Sequence, residues 1–154
     1  MRRLCLIVFL SLCPVSAQAA GEALSAALEA LDAGDLEAAA QAEAQLDDPV
    51  ARDIVQWTRL RIGGEPFEDY IEFLARNPSW PGLPYLRAQG EPSIPVGGPP
   101  GPVLAYFAEH QATRGPGALA LARALELTGR AEAARAEIIR AWTSMTLTST
   151  TAGN

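Results

Sequence analysis

The run from Ala75 to Arg87, ARNPSWPGLPYLR, constrains the fold more than any other stretch of the chain. Apolar residues at helical spacing precede it and predict a helix with one buried face: Phe67, Tyr70, Ile71 and Leu74. That helix is expected to end at Asn77, because the residue before a proline is driven out of the α region and Pro78 follows. Pro81 fits the first turn of a second short helix, where its missing N–H is no loss.

Four residues of this run are therefore predicted to form a structural corner between two helices: Asn77, Pro78, Trp80 and Pro81. The indole of Trp80 can fill the wedge where the helix ends meet, and its N–H can reach an unpaired carbonyl of the first helix. A ligand platform is the alternative role for Trp80. Packing is favoured over it, because most buried tryptophans only pack.

The N-terminus reads as a secretory signal peptide over residues 1–19. Arg2 and Arg3 precede a run of ten residues, 4–13, that is mostly apolar, and Ala17-Gln18-Ala19 fits the small-residue pattern of signal peptidase sites. The run is about half the ~20 residues of a spanning helix, so we expect cleavage after Ala19 and no membrane anchor. Lipidation at Cys13 is disfavoured, because Leu12 replaces the small residue expected before it.

Cysteine content and charge limit the disulfides and the binding partners expected of the mature chain. Cys5 and Cys13 both lie in the segment to be removed, so no disulfide is expected. Without Arg2 and Arg3, ten of the twelve basic residues remain against eighteen acidic ones, a net charge of −8. A nucleic-acid partner is not expected, because phosphate binding depends on clustered positive charge.

The apolar pattern predicts helical hairpins over residues 20–90. A first helix from Gly21 ends at Ala33-Gly34, and Asp35 caps a second that runs through Leu46. Asp48 with Pro49 opens a third helix that ends at Gly63-Gly64, and its expected inner residues are Val50, Ile54, Trp57 and Leu60. A fourth helix covers residues 66–76, and the fifth is the short one after Trp80.

The composition changes at residue 91. Residues 91–102 contain five prolines and three glycines, which predicts an extended connector, either a joint or a long surface loop. Further helices are expected over residues 103–147, with a break at 114–117 and a turn at Gly129. Residues 148–154 are expected to be a disordered or truncated tail, because the apolar period gives way to threonine. No strand pattern occurs after the signal peptide, so the predicted fold is all-α.

One turn sequence occurs twice. Gly-x-x-Glu-Ala-Ala stands at residues 34–39 and again at 129–134, each time between two predicted helices. Glycine supplies the left-handed residue after the first helix, and the alanines let the second helix pack closely. This pattern favours an irregular right-handed superhelix of antiparallel helix pairs, similar to a tetratricopeptide-like solenoid.

No catalytic, cofactor-binding or metal-binding set of residues is predicted from the sequence. Acidic residues gather at the start of the fourth helix, where the helix dipole favours them: Glu65, Glu68, Asp69 and Glu72. Asp47 and Asp48 are explained as a turn and a cap. His110, the only histidine, is expected to be exposed, and no phosphate-binding loop or nucleophile elbow is present.

Several segments, taken in order, resemble the N-terminal helical region of the soluble lytic murein transglycosylases, periplasmic enzymes that cut peptidoglycan. The resemblance covers about residues 20–143 and rests on Ala33-Gly34-Asp35, residues 46–60, the segment 73–83, Gly129-Arg130-Ala131-Glu132-Ala133 and residues 138–142. It implies a helical platform of cell-wall turnover, with peptidoglycan reached through a separate lysozyme-like domain that carries the catalytic glutamate.

That catalytic domain and its Glu-Ser motif are missing from this sequence. The resemblance thus implies an enzyme family without giving this chain an acid catalyst, and a fragment inactive by itself is expected. The alternative is a free-standing periplasmic helical-repeat module that binds a protein partner.

Overall fold

The computed structural model describes residues 15–151, which are helical throughout apart from the joints. Its eight α-helices are α1 (Val15–Asp32), α2 (Leu36–Glu43), α3 (Pro49–Ile62), α4 (Phe67–Arg76), α5 (Leu83–Gly90), α6 (Pro100–Tyr106), α7 (Gly115–Leu127) and α8 (Ala131–Thr151). A 3₁₀ helix covers Glu91–Ser93, and no strand occurs in residues 15–151. The all-α prediction is confirmed.

The predicted signal peptide lies mostly outside the described residues, which begin at Val15 within it. The first helix starts there rather than at Gly21. None of the helices within residues 15–151 combines the length and apolar character that a membrane crossing requires.

The chain forms two compact units that divide between Val55 and Gln56, inside α3. In the first unit α1, α2 and the start of α3 enclose a core that is rich in alanine: Ala27, Leu31, Ala39, Ala42, Leu46, Ala51 and Val55. Alanine allows close approach of helices but buries little apolar area per residue. The larger side chains of this small core therefore carry much of its stability.

The second unit contains the aromatic core. Phe67, Tyr70 and Phe73 of α4 pack with Leu60, Leu86, Tyr106 and Phe107 and with alanines of α7. Phe67 and Tyr106 meet edge to face, with ring centroids 5.0 Å apart. At Gly90 the backbone of α5 passes close to this core. A Cβ at this position would stand 2.7 Å from Tyr106 Oη, which leaves no room for a side chain.

The two copies of the repeated turn have the same geometry. Gly34 and Gly129 are left-handed, with φ of 75° and 76°. The N–H of Asp35 donates to the Ala30 carbonyl, and the N–H of Arg130 donates to the Leu125 carbonyl, each at 2.9 Å. These bonds span five residues and close a Schellman motif, so the helix–turn–helix role predicted for both copies is confirmed.

Several predicted boundaries are wrong. Residues 91–102 are not an extended connector, since they contain the 3₁₀ helix and the start of α6, and they bury Glu91 and Ile94. The break predicted at 114–117 lies earlier, over 107–114 between α6 and α7, and Gly115 begins α7 because proline is accepted in a first helical turn. Helix α8 continues past residue 147 to Thr151.

Two predictions in the third helix and at the corner also fail. Val50 is 54% exposed, and the buried residues of α3 are Ala51, Val55 and Leu60. Pro81 lies outside α5, because Gly82 before the helix is left-handed at φ 74° and Pro84 occupies the first turn instead.

Candidate functional site

The corner of the second unit joins α4 to α5. Asn77 ends α4, and its N–H donates to the Phe73 carbonyl at 2.9 Å. Trp80 is half-buried and meets Phe73 edge to face, with ring centroids 5.7 Å apart. Pro78 and Pro81 are exposed. The corner is a place where side chains pack, and it gathers no group with acid, base or nucleophile chemistry.

The tryptophan that hydrogen-bonds to the corner is Trp57 of α3, not Trp80. Its Nε1–H donates to the Pro81 carbonyl at 3.2 Å, across 24 residues of sequence. The bond predicted from the sequence was a different one, from the indole N–H of Trp80 to a carbonyl at the end of α4, and the described chain does not form it. Only the packing of α3 against the corner makes Trp57 the donor.

Glu91 is the functional candidate that the sequence argument missed. Its side chain is 2% exposed, and it is the only charged residue buried to this degree in the described chain. Oε1 accepts hydrogen bonds from Thr113 N at 2.8 Å and Thr113 Oγ1 at 2.7 Å. Oε2 accepts from Thr113 N at 3.1 Å and from Arg114 N at 2.6 Å.

These four hydrogen bonds make Glu91 a cap for α7. The N-cap residue of α7, Arg114, has no side-chain cap bond of its own, and the carboxylate on the 3₁₀ helix accepts from the main-chain N–H of Arg114 and of Thr113 before it. A negative charge at a helix N-terminus is favoured by the helix dipole. Gly117 in the first turn of α7 permits the close approach, because a Cβ at that position would overlap Glu91 Oε2.

A cleft of about 360 Å³ opens beside Glu91 in the second unit. Arg87, Tyr106, Phe107, His110 and Thr113 are among its lining residues. Tyr106 Oη donates to the Arg87 carbonyl at 2.7 Å, and the Arg87 guanidinium lies 5.6 Å from the centre of the Tyr106 ring. Burial raises the pKa of Tyr106 well above its usual range, partly offset by Arg87. Tyr106 is therefore a neutral hydrogen-bond donor in this wall.

The cleft is lined by charged, polar and aromatic side chains. The cation Arg87 and the acid Glu109 line it together with the rings of Tyr106 and Phe107. His110 is exposed at the rim, as predicted. Glu91, the buried acid, has both oxygens occupied by donors from its own chain.

The acidic residues predicted at the start of the fourth helix have structural neighbours. Glu65 lies 3.7 Å from Arg59 Nε, and its main-chain carbonyl accepts from Ser93 Oγ at 2.7 Å. Glu68 and Glu72 are exposed on α4. In residues 15–151 no three histidine, cysteine, aspartate or glutamate side chains come together as a metal site would require.

One sequence signal pointed to Glu91. Helix α7 begins at Gly-Pro-Gly without an Asn, Asp, Ser or Thr at its N-cap, so its first N–H groups needed an acceptor from elsewhere. Comparison of the chain with family models, curated proteins and solved structures gives no match.

Proposed function

We propose that this chain is the N-terminal helical platform of a periplasmic lytic murein transglycosylase, a scaffold without an acid catalyst of its own. The ordered resemblance over residues 20–143 supports this role, and so does the all-helical construction with two matching helix–turn–helix joints. In this proposal the helices belong to an irregular right-handed superhelix of antiparallel pairs. Peptidoglycan is the partner of a separate catalytic domain.

The observation that carries the proposal is that both carboxylate oxygens of Glu91 already accept hydrogen bonds from the chain itself. Glycoside cleavage needs a carboxyl group that can approach the sugar oxygen and exchange a proton with it. Glu91 is the buried acid best placed in a cleft, and its oxygens are held by Thr113 and Arg114. A carboxylate held in this way stabilises the platform rather than a reaction.

The test is incubation of the purified chain with isolated sacculi, followed by chromatography for anhydromuropeptides. We expect no soluble product above a buffer control. The variants Glu91→Gln and Glu109→Gln are treated in parallel, because both residues line the cleft. Product that is formed by the parent chain and lost in either variant would contradict the proposal.

Export is part of the same proposal. A signal peptide cut after Ala19 gives a mature chain that begins at Ala20 in the periplasm. Mass spectrometry of the protein recovered from a Gram-negative host measures this directly. A chain that keeps Met1, or one that carries a lipid on Cys13, would contradict the periplasmic assignment.

A free-standing protein-interaction module is the second candidate, and the surface of α8 favours it. Ile138, Ile139 and Trp142 are 44%, 58% and 75% exposed on this helix. Large apolar side chains grouped in this way are typical of surfaces that contact another protein. Reading the genomic sequence beyond the codon for Asn154 separates the candidates, since a lysozyme-like sequence in any frame favours the platform and its absence favours the module.

A further inference from the structure

The guanidinium of Arg61 lies close to two aromatic rings in the second unit. Its carbon Cζ lies 4.4 Å from the centre of the Trp57 ring and 5.7 Å from the centre of the Tyr85 ring. Trp57 belongs to α3, as does Arg61, and Tyr85 belongs to α5. Stacking on a ring face fixes the plane of a guanidinium but leaves its N–H edges available to an acceptor.

The surroundings of Arg61 are themselves fixed by hydrogen bonds. Gln89 Nε2 donates to the Arg61 carbonyl at 2.9 Å and to Tyr85 Oη at 2.6 Å. The indole of Trp57 is tied to the Pro81 carbonyl. Arg114 Nη2 donates to Gln89 Oε1 at 2.7 Å, which brings a second guanidinium to the same glutamine. The group is therefore organised before any ligand arrives.

The charges of these two arginines are not neutralised by direct ion pairs. Within residues 15–151 no carboxylate oxygen lies within 4.0 Å of the Arg61 or Arg114 guanidinium, whereas Arg123 and Arg140 each pair with a glutamate. The whole chain has a net charge of −6, with eighteen acidic residues available. Arg61 thus lies without an ion pair beside the half-buried ring of Trp57 and the ring of Tyr85, which is 49% exposed.

We propose that Arg61, linked to Arg114 through Gln89, is a binding site for a carboxylate carried on an apolar stem. The planar fork of a guanidinium matches the two oxygens of a carboxylate. Tyr85 and Ile62, which are 49% and 58% exposed, offer apolar surface for the stem. A phosphate dianion fits less well, because the negative field of the chain repels it more strongly than a single negative charge. The site goes beyond the proposed platform role and does not depend on it.

The experiment is a titration of the ¹⁵N-labelled chain, observed at the indole N–H of Trp57 and the Nε–H of Arg61. The probes are N-acetyl-leucine, its uncharged amide and inorganic phosphate, and a short peptide that ends in leucine separates a peptide C-terminus from a free acid as the source. We expect saturable shifts with N-acetyl-leucine, no saturation with the amide and weaker binding of phosphate. A peptide that binds at least as tightly as the free acid assigns the site to peptide C-termini, and weaker binding assigns it to free carboxylic acids.

The matched variants are Arg61→Lys and Arg130→Lys. Lysine keeps the charge but loses the fork, so Arg61→Lys should raise the dissociation constant for N-acetyl-leucine about tenfold. Arg130 is an exposed arginine at the α7–α8 joint, and its replacement should leave the dissociation constant unchanged. Absent saturation with N-acetyl-leucine, equal binding of phosphate, or an equal effect of both variants would overturn the proposal. A thermal melt of each variant verifies the fold.

Discussion

Glu91 links two distant parts of the second unit through hydrogen bonds. Its carboxylate belongs to the 3₁₀ helix, and its donors stand 22 and 23 residues later, at the start of α7. Its two oxygens accept from the main-chain N–H groups of Thr113 and Arg114, directly before the first turn of α7. The residue therefore fixes where α7 begins.

Replacement of Glu91 by glutamine should destabilise the chain by about 1–3 kcal/mol, the cost of leaving a buried polar group unsatisfied. The amide group of glutamine turns one oxygen into a donor, and that donor faces the N–H groups of Thr113 and Arg114. Urea denaturation measures the free energy of unfolding. Glu109→Gln is the control, since Glu109 also lines the cleft but is exposed, and it should change that free energy by less than about 0.5 kcal/mol.

Two glycines in the first turn of α7 provide a second test of the same contact. A Cβ at Gly117 would overlap the Glu91 carboxylate, whereas nothing lies within 4 Å of a Cβ at Gly115. Gly117→Ala should lower the free energy of unfolding by about 1–3 kcal/mol through overpacking. Gly115→Ala should leave it unchanged or raise it by up to about 1 kcal/mol, because alanine favours helix. Equal effects in thermal melts would mean that Glu91 does not pack against Gly117.

Tyr70 makes stability sensitive to alkaline pH. Burial raises the pKa of Tyr70 from 10.0 to about 12, with smaller contributions from Glu65, which raises it, and Arg114, which lowers it. The unfolded chain loses this proton first, so the free energy of unfolding should fall as the pH rises from 10.0 to about 12. Tyr70→Phe removes the ionisable group, and the fall measured by urea denaturation at each pH should then be shallower. Identical slopes would contradict the assignment.

At the scale of the helices, local side-chain capping explains where α2 and α3 begin. Asp35 Oδ1 accepts from the Ala38 N–H at 3.0 Å and caps α2, and Asp48 Oδ1 accepts from the Val50 N–H at 2.9 Å and caps α3. Each acceptor and donor lie within three residues of each other. Such boundaries depend on the sequence nearby and not on the rest of the fold.

The adjacent pair Asp47 and Asp48 tests the cap of α3. Asp48→Ala should lower the free energy of unfolding by about 1 kcal/mol, because the Val50 N–H loses its acceptor. Asp47→Ala removes the same charge from an exposed site beside it and should have an effect below about 0.5 kcal/mol. The two variants are compared by urea denaturation at one pH and ionic strength. A loss as large for Asp47→Ala would assign the effect to charge rather than to the cap.

At the scale of the whole molecule, each compact unit has its own core. That of the first unit is small, and Leu46, three residues after the end of α2, is one of its few large side chains and fully buried. Leu46→Ala should cost about 2–5 kcal/mol, as removal of a buried leucine generally does. The control is Leu36→Ala, since Leu36 is 65% exposed on α2.

Hydrogen exchange shows whether the stability lost in Leu46→Ala is lost from the first unit. Amides of α1 and α2 should lose protection in Leu46→Ala and keep it in Leu36→Ala, because amide protection follows the stability of the surrounding unit. Unchanged protection of α1 and α2 in Leu46→Ala would show that Leu46 does not stabilise this core.

The sequence by itself determined the helical class of the chain, the turns at Gly34 and Gly129, and the caps Asp35 and Asp48. These features follow from the conformational preference of a residue or from hydrogen bonds over at most five positions. The buried face of α4 was predictable for the same reason. Phe67, Tyr70 and Leu74, three of the residues named from its apolar spacing, are buried, and Ile71 lies at the edge.

Only the tertiary structure decided the role of residues 90–117 and which tryptophan donates a hydrogen bond to the corner between α4 and α5. Composition predicted an exposed connector because proline and glycine disfavour long helices, but short helical turns that tolerate proline bury Glu91 and Ile94 there. The bonds from Glu91 to Thr113 and from Trp57 to Pro81 span 22 and 24 residues. Such contacts form only when separate helices pack, so local sequence preferences do not determine them.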